Sequence, residues 1–316
     1  LAPRVTLPGC RSNDGHTLLP VGVGNTPAMI VEPSHPQFML SVVIPCYNAA
    51  DTIGAQLEAL ADQKWDRPWE VVVVDNRSTD GSTAIVEQYA PRFARLRLVP
   101  ALARQGQPYA LNVGIAAAAA ESIAICDADD IVASGWVSAM GEALTRYEFV
   151  AGRMETRRLN PEWVYASIGQ HPQMVGLQKS SYPPYLPHAG SGNLGIKRAV
   201  HDKVGGFNED FPYLLDTEYC FRVQLAGVPL HYVPEAVVHL RYRPTLRGIY
   251  AQTRNWSQYE VLLFNRFRGT NSRELWRWRA YVAMWLGVLR KVPQLVCSQK
   301  GRALLAWRLG RQIGTL

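Results

Sequence analysis

The chain lacks most of the features that mark secreted, membrane-spanning or dinucleotide-binding proteins. Its five cysteines include no Cys-x-x-Cys pair, so we expect reduced thiols rather than a disulfide or zinc framework. No signal peptide opens the sequence, which favours a cytoplasmic protein. The longest apolar run of the C-terminal segment, residues 280–289, is about half of the length that crosses a bilayer. Gly22-Val23-Gly24 lacks the third glycine and the preceding strand of a dinucleotide fingerprint.

Acidic residues are almost absent from the C-terminal end of the chain. Residues 266–316 contain eleven Lys or Arg and one acid, Glu274, whereas the rest of the chain contains 22 basic and 25 acidic residues. Trp and Leu are interleaved with these basic residues, a composition typical of amphipathic helices on an anionic membrane surface. Helices that pack on the rest of the protein are an equal alternative. We expect no nucleic-acid partner, because acidic clusters elsewhere would repel a phosphate backbone.

What the chain does contain is a series of apolar strands that end in acidic, turn-forming clusters. Residues 123–130 read Ile-Ala-Ile-Cys-Asp-Ala-Asp-Asp, so a strand delivers Asp127, Asp129 and Asp130 to its carboxyl end. Open α/β sheets bind ligands at that edge, and such a concentration of carboxylates is usually balanced by a cation. A divalent metal that carries a diphosphate would satisfy this charge. Asp130 could instead cap the helix that begins near residue 133.

Two further strands follow the same scheme. The β-branched run at residues 71–74 stops at Asp75 and leads through a polar turn into a helical pattern at residues 83–89. Residues 41–44 end in Pro45 and lead into a helical pattern at residues 50–63. Strand, turn and helix repeated in this way predict an α/β fold with a mostly parallel sheet.

Taken in order, these motifs and several later ones resemble those of the family 2 glycosyltransferases. They lie at residues 42–48, 72–82, 112–116, 127–130, 204–209 and 216–222 and at His239. The resemblance covers roughly residues 38–245 and implies the GT-A fold, a Rossmann-like, mostly parallel sheet with helices on both faces. We divide the chain into four parts: an N-terminal arm (residues 1–37), a nucleotide-binding half (38–130), an acceptor-binding half (131–245) and a basic helical extension (246–316).

The resemblance also implies an activity and a metal. Members invert the anomeric carbon as they move a sugar from a nucleotide sugar, typically a UDP-sugar, to a hydroxyl acceptor in glycan, cell-wall or glycolipid synthesis. By this resemblance Asp129 binds Mn²⁺ or Mg²⁺, with Asp127 near the ribose or at the metal through water, Ala128 beside the nucleotide, and His239 completing the metal shell.

The nucleotide contacts that the resemblance implies come from three loops. Asp75 would accept a hydrogen bond from the base, and the first loop would close over base and ribose. The loop before residue 112 would approach the nucleotide. The residues concerned in the first and third loops are Pro45, Tyr47, Asn48, Arg104, Gln107 and Asn112. Leu111 stands where members often have an arginine, which leaves the nucleotide's identity open.

The catalytic base implied by the resemblance is Asp216, the acid that would deprotonate the acceptor hydroxyl. Leu215 stands where members usually have a glutamate. Glu218 is a further candidate on the acceptor side, although an ion pair with Arg222 at i,i+4 is the simpler interpretation. Asn193 and Trp163 are the other predicted acceptor contacts.

Two other functions stay open at this stage. A sugar-phosphate nucleotidyltransferase would share the sheet and the metal carboxylates, but a glycine-rich phosphate loop is expected where Pro45 and Tyr47 stand. A catalytically inert, membrane-surface binding protein is favoured by Leu111 and Leu215. The intact acids Asp127, Asp129 and Asp216 argue against it.

Overall fold

The computed structural model describes residues 38–269, 285, 286, 292 and 296–315. The predicted arm at residues 1–37 lies outside the described residues, as does most of the tryptophan-rich part of the basic extension.

The described residues form ten strands and nine α-helices. The strands are β1 (Leu40–Cys46), β2 (Trp69–Asp75), β3 (Leu96–Pro100), β4 (Ser122–Cys126), β5 (Ile131–Val132), β6 (Phe149–Glu155), β7 (Gln178–Lys179), β8 (Pro187–His188), β9 (Asn193–Lys197) and β10 (His231–His239). The helices are α1 (Ile53–Ala61), α2 (Ser82–Tyr89), α3 (Gln107–Ala117), α4 (Trp136–Arg146), α5 (Glu162–Ile168), α6 (Arg198–Lys203), α7 (Leu215–Leu225), α8 (Leu246–Phe267) and α9 (Gln299–Gly314).

Eight of these strands form one sheet in the order β3-β2-β1-β4-β9-β6-β10-β5. The first four strands are parallel to one another, so their carboxyl ends share one edge. β9 lies antiparallel between β4 and β6, and its first residue, Asn193, is paired with Cys126 at the end of β4. The segment before β9 is therefore brought to the edge that the parallel strands share.

Alternate residues of the central strands face two separate cores. Val42 and Ile44 pack on one side of the sheet with α1, α2 and α4, whereas Val43 packs on the other side with α3, α6 and α7. This alternation follows from the period of two in a strand, and both faces are apolar because both are covered by helices. The predicted sheet with helices on both faces is confirmed.

The two C-terminal helices pack closely on each other. A Cβ atom added at Gly310 would lie 2.1 Å from the Thr253 Oγ1, and one at Gly314 would lie 2.1 Å from the Arg254 carbonyl oxygen. The backbones can therefore approach only because both positions of α9 are glycine. Among the described residues, no helix combines the length and apolarity that crossing a membrane requires.

Candidate active site

A cleft of about 440 Å³ opens at the carboxyl edge of the parallel strands, a size that is ordinary for small-molecule sites. Its walls come from the loops after β1, β2, β3, β4 and β10. The lining residues are Pro45, Cys46, Tyr47, Asn48, Ala49, Asp51, Thr52, Asn76, Gln105, Gly106, Gln107, Ala110, Asp127, Ala128, Asp129, Arg241 and Arg243. Seven of the predicted site residues are among them, namely Pro45, Tyr47, Asn48, Gln107, Asp127, Ala128 and Asp129.

The loops after β1 and β2 are held together by hydrogen bonds at the mouth of the cleft. Asn48 has a left-handed backbone, with φ at 48°, and its Oδ1 accepts the N–H of Thr79 at 2.8 Å. Asp80 accepts the N–H of Ala50 at 3.0 Å. Tyr47, which is 52% exposed, is not a core residue, so its ring is free to stack on a base.

Asn76 fixes the loop between β3 and α3. This side chain is almost completely buried. It donates to the carbonyl oxygens of Ala101 and Arg104 at 2.7 and 2.8 Å and accepts the N–H of Gly106 at 2.7 Å. Gly106 has φ at 145°, a conformation that favours glycine. The wall of the cleft is thereby set by a residue that directly follows Asp75.

Asp127 and Asp129 line the floor of the cleft, and the buried Asp130 lies beside them. Each offers one carboxylate oxygen to a group of three that lie within 4.8 Å of one another. Gln107 donates to the Asp127 Oδ1 at 2.9 Å, and buried Gln56 donates to the Asp127 carbonyl oxygen at 3.1 Å. Neutral amides therefore hold the turn in place without neutralising the charge of Asp127.

The electrostatics of this cluster fit a cation. Burial, together with the charges of Asp129 and Asp216, raises the pKa of Asp127 to about 7, and burial raises the pKa of Asp130 well above its ordinary value. The Asp130 Oδ2 is buried without a hydrogen-bond partner among the described residues. Because a buried carboxylate oxygen without a partner is costly, these oxygens suit a hard divalent cation such as Mn²⁺ or Mg²⁺.

Asp216, in the first turn of α7, reaches the same cluster through residues 190–192 of the loop that precedes β9. The N–H of Ser191 donates to the Asp216 Oδ2 at 3.3 Å. One residue later, a Cβ atom added at Gly192 would lie 2.7 Å from the Asp127 Oδ2. Burial raises the pKa of Asp216, and its charge is one cause of the raised pKa of Asp127. The predicted base and the predicted metal ligands are thus brought together.

Two arginines after β10 close the other side of the cluster. The backbone N–H of Arg241 donates to the Asp130 Oδ1 at 2.8 Å, and its Nε donates to the Asp129 carbonyl oxygen at 3.0 Å. The Arg243 Nη1 donates to the Asp129 Oδ2 at 3.3 Å. One oxygen of Asp130 therefore accepts a hydrogen bond from this loop, while Asp130 is also a member of the aspartate cluster. The helix that follows is capped by Gly135 and not by Asp130.

Three residues predicted to contact the nucleotide lie outside the walls of the cleft. Asp75 accepts the N–H of Ser78 at 3.1 Å and so stabilises its own turn. Arg104 forms an ion pair with Glu209 at 2.8 Å. Asn112 is bonded to the backbone of Phe207, donating to its carbonyl oxygen and accepting its N–H. These side chains organise loops, and their contacts with a nucleotide stay predictions.

His239, which was predicted to complete the metal shell, is not part of the aspartate cluster in this structure. Its Nδ1 lies 2.8 Å from the Glu155 Oε2, and its Nε2 lies 3.0 Å from the Arg158 Nη1. Both ring nitrogens are therefore used outside the aspartate cluster, and the ring takes no part in the group of oxygens that could hold a metal.

The predicted acceptor contacts need the largest correction. Asn193 is completely buried; it donates to the carbonyl oxygens of Arg153 and Ala236 and accepts the Trp136 Nε1–H at 2.8 Å. Glu218 is also completely buried and forms ion pairs with Arg222 and Arg266. Neither side chain can reach an acceptor. Trp163 lies on α5, outside the cleft.

The two departures from the family pattern are explained by packing. Leu111 is fully buried and Leu215 is 5% exposed, and both belong to the core on the α3 and α7 face of the sheet. Because these side chains point into the core, their apolar character does not weaken the cleft.

The cleft contains residues that the sequence reasoning missed. Asn76 and Asp51 each lie close to a predicted motif residue and could have been found by that adjacency. Gln56, which is buried in the middle of α1 and bonds the turn at Asp127 from behind the cleft, had no such signal. Gly192 contributes by lacking a side chain, because a Cβ atom there would collide with the Asp127 carboxylate.

Sequence comparison identifies the family of this chain. The pattern described as "Glycosyl transferase family 2" matches residues 41–205. The chain is 24% identical over 245 residues to the "Probable glycosyltransferase YdaM" of Bacillus subtilis, covering 71% of this chain and 56% of that protein. It is 32% identical over 136 residues to the "Uncharacterized glycosyltransferase YibD" of Escherichia coli, covering 43% of this chain and 38% of that protein. The chain thus spans roughly 40 to 55% of the length of these two relatives.

The fold is shared with a solved mannosyltransferase. The structure of PcManGT from Pyrobaculum calidifontis in complex with GDP-Man and Mn²⁺ has a TM-score of 0.61 and 21% sequence identity, covering 90% of this chain and 88% of that one. At this level of identity the likeness shows the fold alone, and it confirms the predicted GT-A architecture. Because the family match covers more than half of the chain, this protein belongs to glycosyl transferase family 2.

Proposed function

We propose that this chain is an inverting, metal-dependent glycosyltransferase that moves a sugar from a nucleotide sugar to a hydroxyl group. The observation that carries the proposal is the convergence of Asp127, Asp129 and Asp216 around loop 190–192. The reaction requires charge stabilisation for a leaving diphosphate and a base for the acceptor. Family membership supports the same reaction.

At the donor side, Asp129 and Asp127 are the residues that would hold the metal, with Asp130 behind them. A bound Mn²⁺ or Mg²⁺ would neutralise the charge that develops on the diphosphate as the bond to the sugar breaks. Tyr47 would stack on the base at the mouth of the cleft. PcManGT and the Staphylococcus aureus TarS fragment 1–349 were solved with GDP-Man and UDP-GlcNAc respectively. We take a UDP-sugar as the first candidate donor.

At the acceptor side, Asp216 would act as the general base. Its carboxylate would take the proton of the acceptor hydroxyl, whose oxygen bonds to the anomeric carbon while the diphosphate leaves from the opposite face with the bonding electrons. Burial raises the pKa of Asp216, which makes its carboxylate a stronger base than an exposed aspartate. One displacement of this kind inverts the anomeric carbon.

Helix α8 would provide the outer wall for the acceptor. Ile249 and Leu263 are buried, whereas Trp256, seven residues from each on the same helix face, is 40% exposed. Trp256 is therefore an accessible aromatic side chain on a helix face whose neighbours one heptad away are buried. Tyr182, whose pKa is raised by burial and by the charges of Glu260 and Asp216, lies on the same side. Aromatic faces next to a base suit a sugar ring, so we propose a carbohydrate-bearing acceptor.

The C-terminal part of the basic extension, residues 266–316, is proposed to place the enzyme on an anionic membrane surface at the cytoplasmic side. Its charge and its tryptophans support this location. The test is co-sedimentation with anionic liposomes before and after residues 270–316 are deleted. Equal co-sedimentation of both proteins would leave the extension with a packing role.

The proposed function is tested by a thermal-shift panel of UDP, GDP, dTDP and CDP sugars with Mn²⁺. We expect one nucleotide series to raise the Tm by mass action, and the rise to vanish with chelator or in Asp129→Ala. Exposed Asp62, substituted by Ala, is the control and should behave as the unaltered enzyme. A Tm rise that chelator does not change would refute the metal assignment, and no rise with any nucleotide would refute the donor assignment.

A further inference from the structure

Arg243 is the side chain that balances the open side of the aspartate cluster. Its Nη1 lies 3.3 Å from the Asp129 Oδ2, and it lines the cleft. The guanidinium is 56% exposed and the Asp129 carboxylate 35% exposed. The positive charge of Arg243 also lowers the pKa of Asp127 and so opposes the effect of burial, which raises it. The guanidinium therefore stabilises the charged form of Asp127 and pairs with Asp129, the two acids on which a metal would depend.

The loop that carries Arg243 is fixed on both sides of this residue. Arg241 is bonded to Asp130 and to the carbonyl of Asp129 through its backbone and side chain. Thr245 caps α8 by accepting the N–H of Gly248 at 3.1 Å. Arg243 lies midway between these anchors, so its side chain can change partner while the backbone of the loop stays in place.

One carboxylate oxygen of Asp129 cannot bind the guanidinium and a divalent cation at the same time without weakening both interactions. Two cations at one carboxylate repel each other, and the doubly charged ion is bound more strongly. A displaced guanidinium would still lie at the wall of the cleft, where the donor's diphosphate would bring two phosphates. Arginine pairs with phosphate oxygens through charge-assisted hydrogen bonds that are stronger than an exposed ion pair.

We propose that Arg243 has two successive partners: Asp129 in the empty cleft, and the donor diphosphate after a divalent cation has taken Asp129. This inference rests on the proposed function. In the first state the arginine competes with the metal, and in the second it neutralises the leaving group. The exchange makes metal alone bind weakly and metal with nucleotide bind tightly, which couples the two ligands.

The proposal predicts that one substitution has opposite effects on two binding reactions. In Arg243→Gln, Mn²⁺ alone should bind about two- to fivefold more tightly, because an exposed ion pair that opposes it is gone. With Mn²⁺ saturating, the nucleoside diphosphate should bind about tenfold more weakly or worse, because a charged hydrogen bond to phosphate is lost. A residue that only stabilised the loop would not change sign between the two reactions.

The experiment is isothermal titration of the full chain with Mn²⁺ alone, and then with UDP and with GDP at saturating Mn²⁺. The variants are Arg243→Gln and the charge-conserving Arg243→Lys, which should retain part of both effects. Exposed Arg247, in the first turn of α8, gives the matched control Arg247→Gln, which we expect to leave both affinities unchanged.

The outcomes separate this inference from the function on which it rests. Opposite effects in Arg243→Gln, absent from the control, support the exchange. Equal Mn²⁺ affinity in the unaltered enzyme and in Arg243→Gln overturns it, even if Mn²⁺ and nucleotide bind normally, and so does a loss of both affinities. If the unaltered enzyme binds neither Mn²⁺ nor nucleotide, the proposed function itself fails.

Discussion

The parallel strands and the antiparallel strand β9 present their functional residues in different ways. After the parallel strands β1 and β4, predicted cleft residues such as Tyr47 and Asp127 line the cleft. In β9, the predicted residue Asn193 is bonded elsewhere. Parallel strands must bring their following loops to one edge, whereas an antiparallel strand brings its preceding loop to that edge. Strand direction therefore decides which neighbour in the sequence is functional.

In the acceptor half, a residue of the core and a residue of the site are direct neighbours in the sequence. Asn193 is the first residue of β9 and points into the core beneath Trp136, whereas Gly192, just before it, lies against the Asp127 carboxylate. Since side chains alternate between the faces of a strand, a shift of one residue exchanges a structural position for one in the site.

The largest effect is expected at Asp216. Asp216→Asn should reduce release of nucleoside diphosphate from the donor by on the order of a hundredfold or more, because a general base is lost. Nucleotide and Mn²⁺ binding should stay near normal in isothermal titration. The control is Asp210→Asn, at an exposed residue of the preceding loop. Full activity of Asp216→Asn would assign the base to another residue.

Asn193→Ala tests the other side of the comparison. It should lower the free energy of unfolding by roughly 2–3 kcal/mol, measured by denaturant titration, because the buried groups bonded to the amide lose their partner. If Asn193 instead binds the acceptor, stability would be unchanged and only the KM for the acceptor would rise.

Gly192→Ala should distort the aspartate cluster without disturbing the core. The added Cβ would meet the Asp127 Oδ2 at 2.7 Å, so we expect Mn²⁺ affinity to fall about tenfold, or roughly 1.4 kcal/mol. Gly176→Ala is the control, since a Cβ there meets nothing within 4 Å. Unchanged Mn²⁺ affinity in Gly192→Ala would show that the loop and the metal site are independent.

The smallest effect is a pH dependence of stability in the metal-free protein. Burial and neighbouring charges raise the pKa of Asp127 to about 7, whereas an unfolded aspartate titrates near 3.9. Between these values the folded state binds more protons, so stability should fall as pH rises from about 4 to about 7. We expect a Tm decrease of at least about 2–4 °C that Asp127→Asn reduces and that Mn²⁺ offsets at pH 8. A flat profile would contradict the buried cluster.

The sequence could predict the position of a site residue where the order of strands and turns near that residue determines its position. The β1, β2 and β4 motifs follow from strand periodicity and a shared edge, so Asp127 and Asp129 could be assigned to the cleft. Asp75 lies at the same edge, and its carboxylate also accepts the N–H of Ser78, a turn contact that strand order alone does not predict. The contact between Arg243 and Asp129 depends on a loop that returns from β10 over a long sequence distance, so local order does not determine it.

The most direct test of the account is a crystal structure of the enzyme with Mn²⁺ and UDP, with the metal located by its anomalous scattering. The account predicts Mn²⁺ on Asp129 with the diphosphate, Arg243 turned from Asp129 to a phosphate oxygen, and the Asp216 carboxylate facing the side from which an acceptor would attack. A metal bound away from residues 127–130, or an Asp216 side chain turned away from the diphosphate, would contradict it.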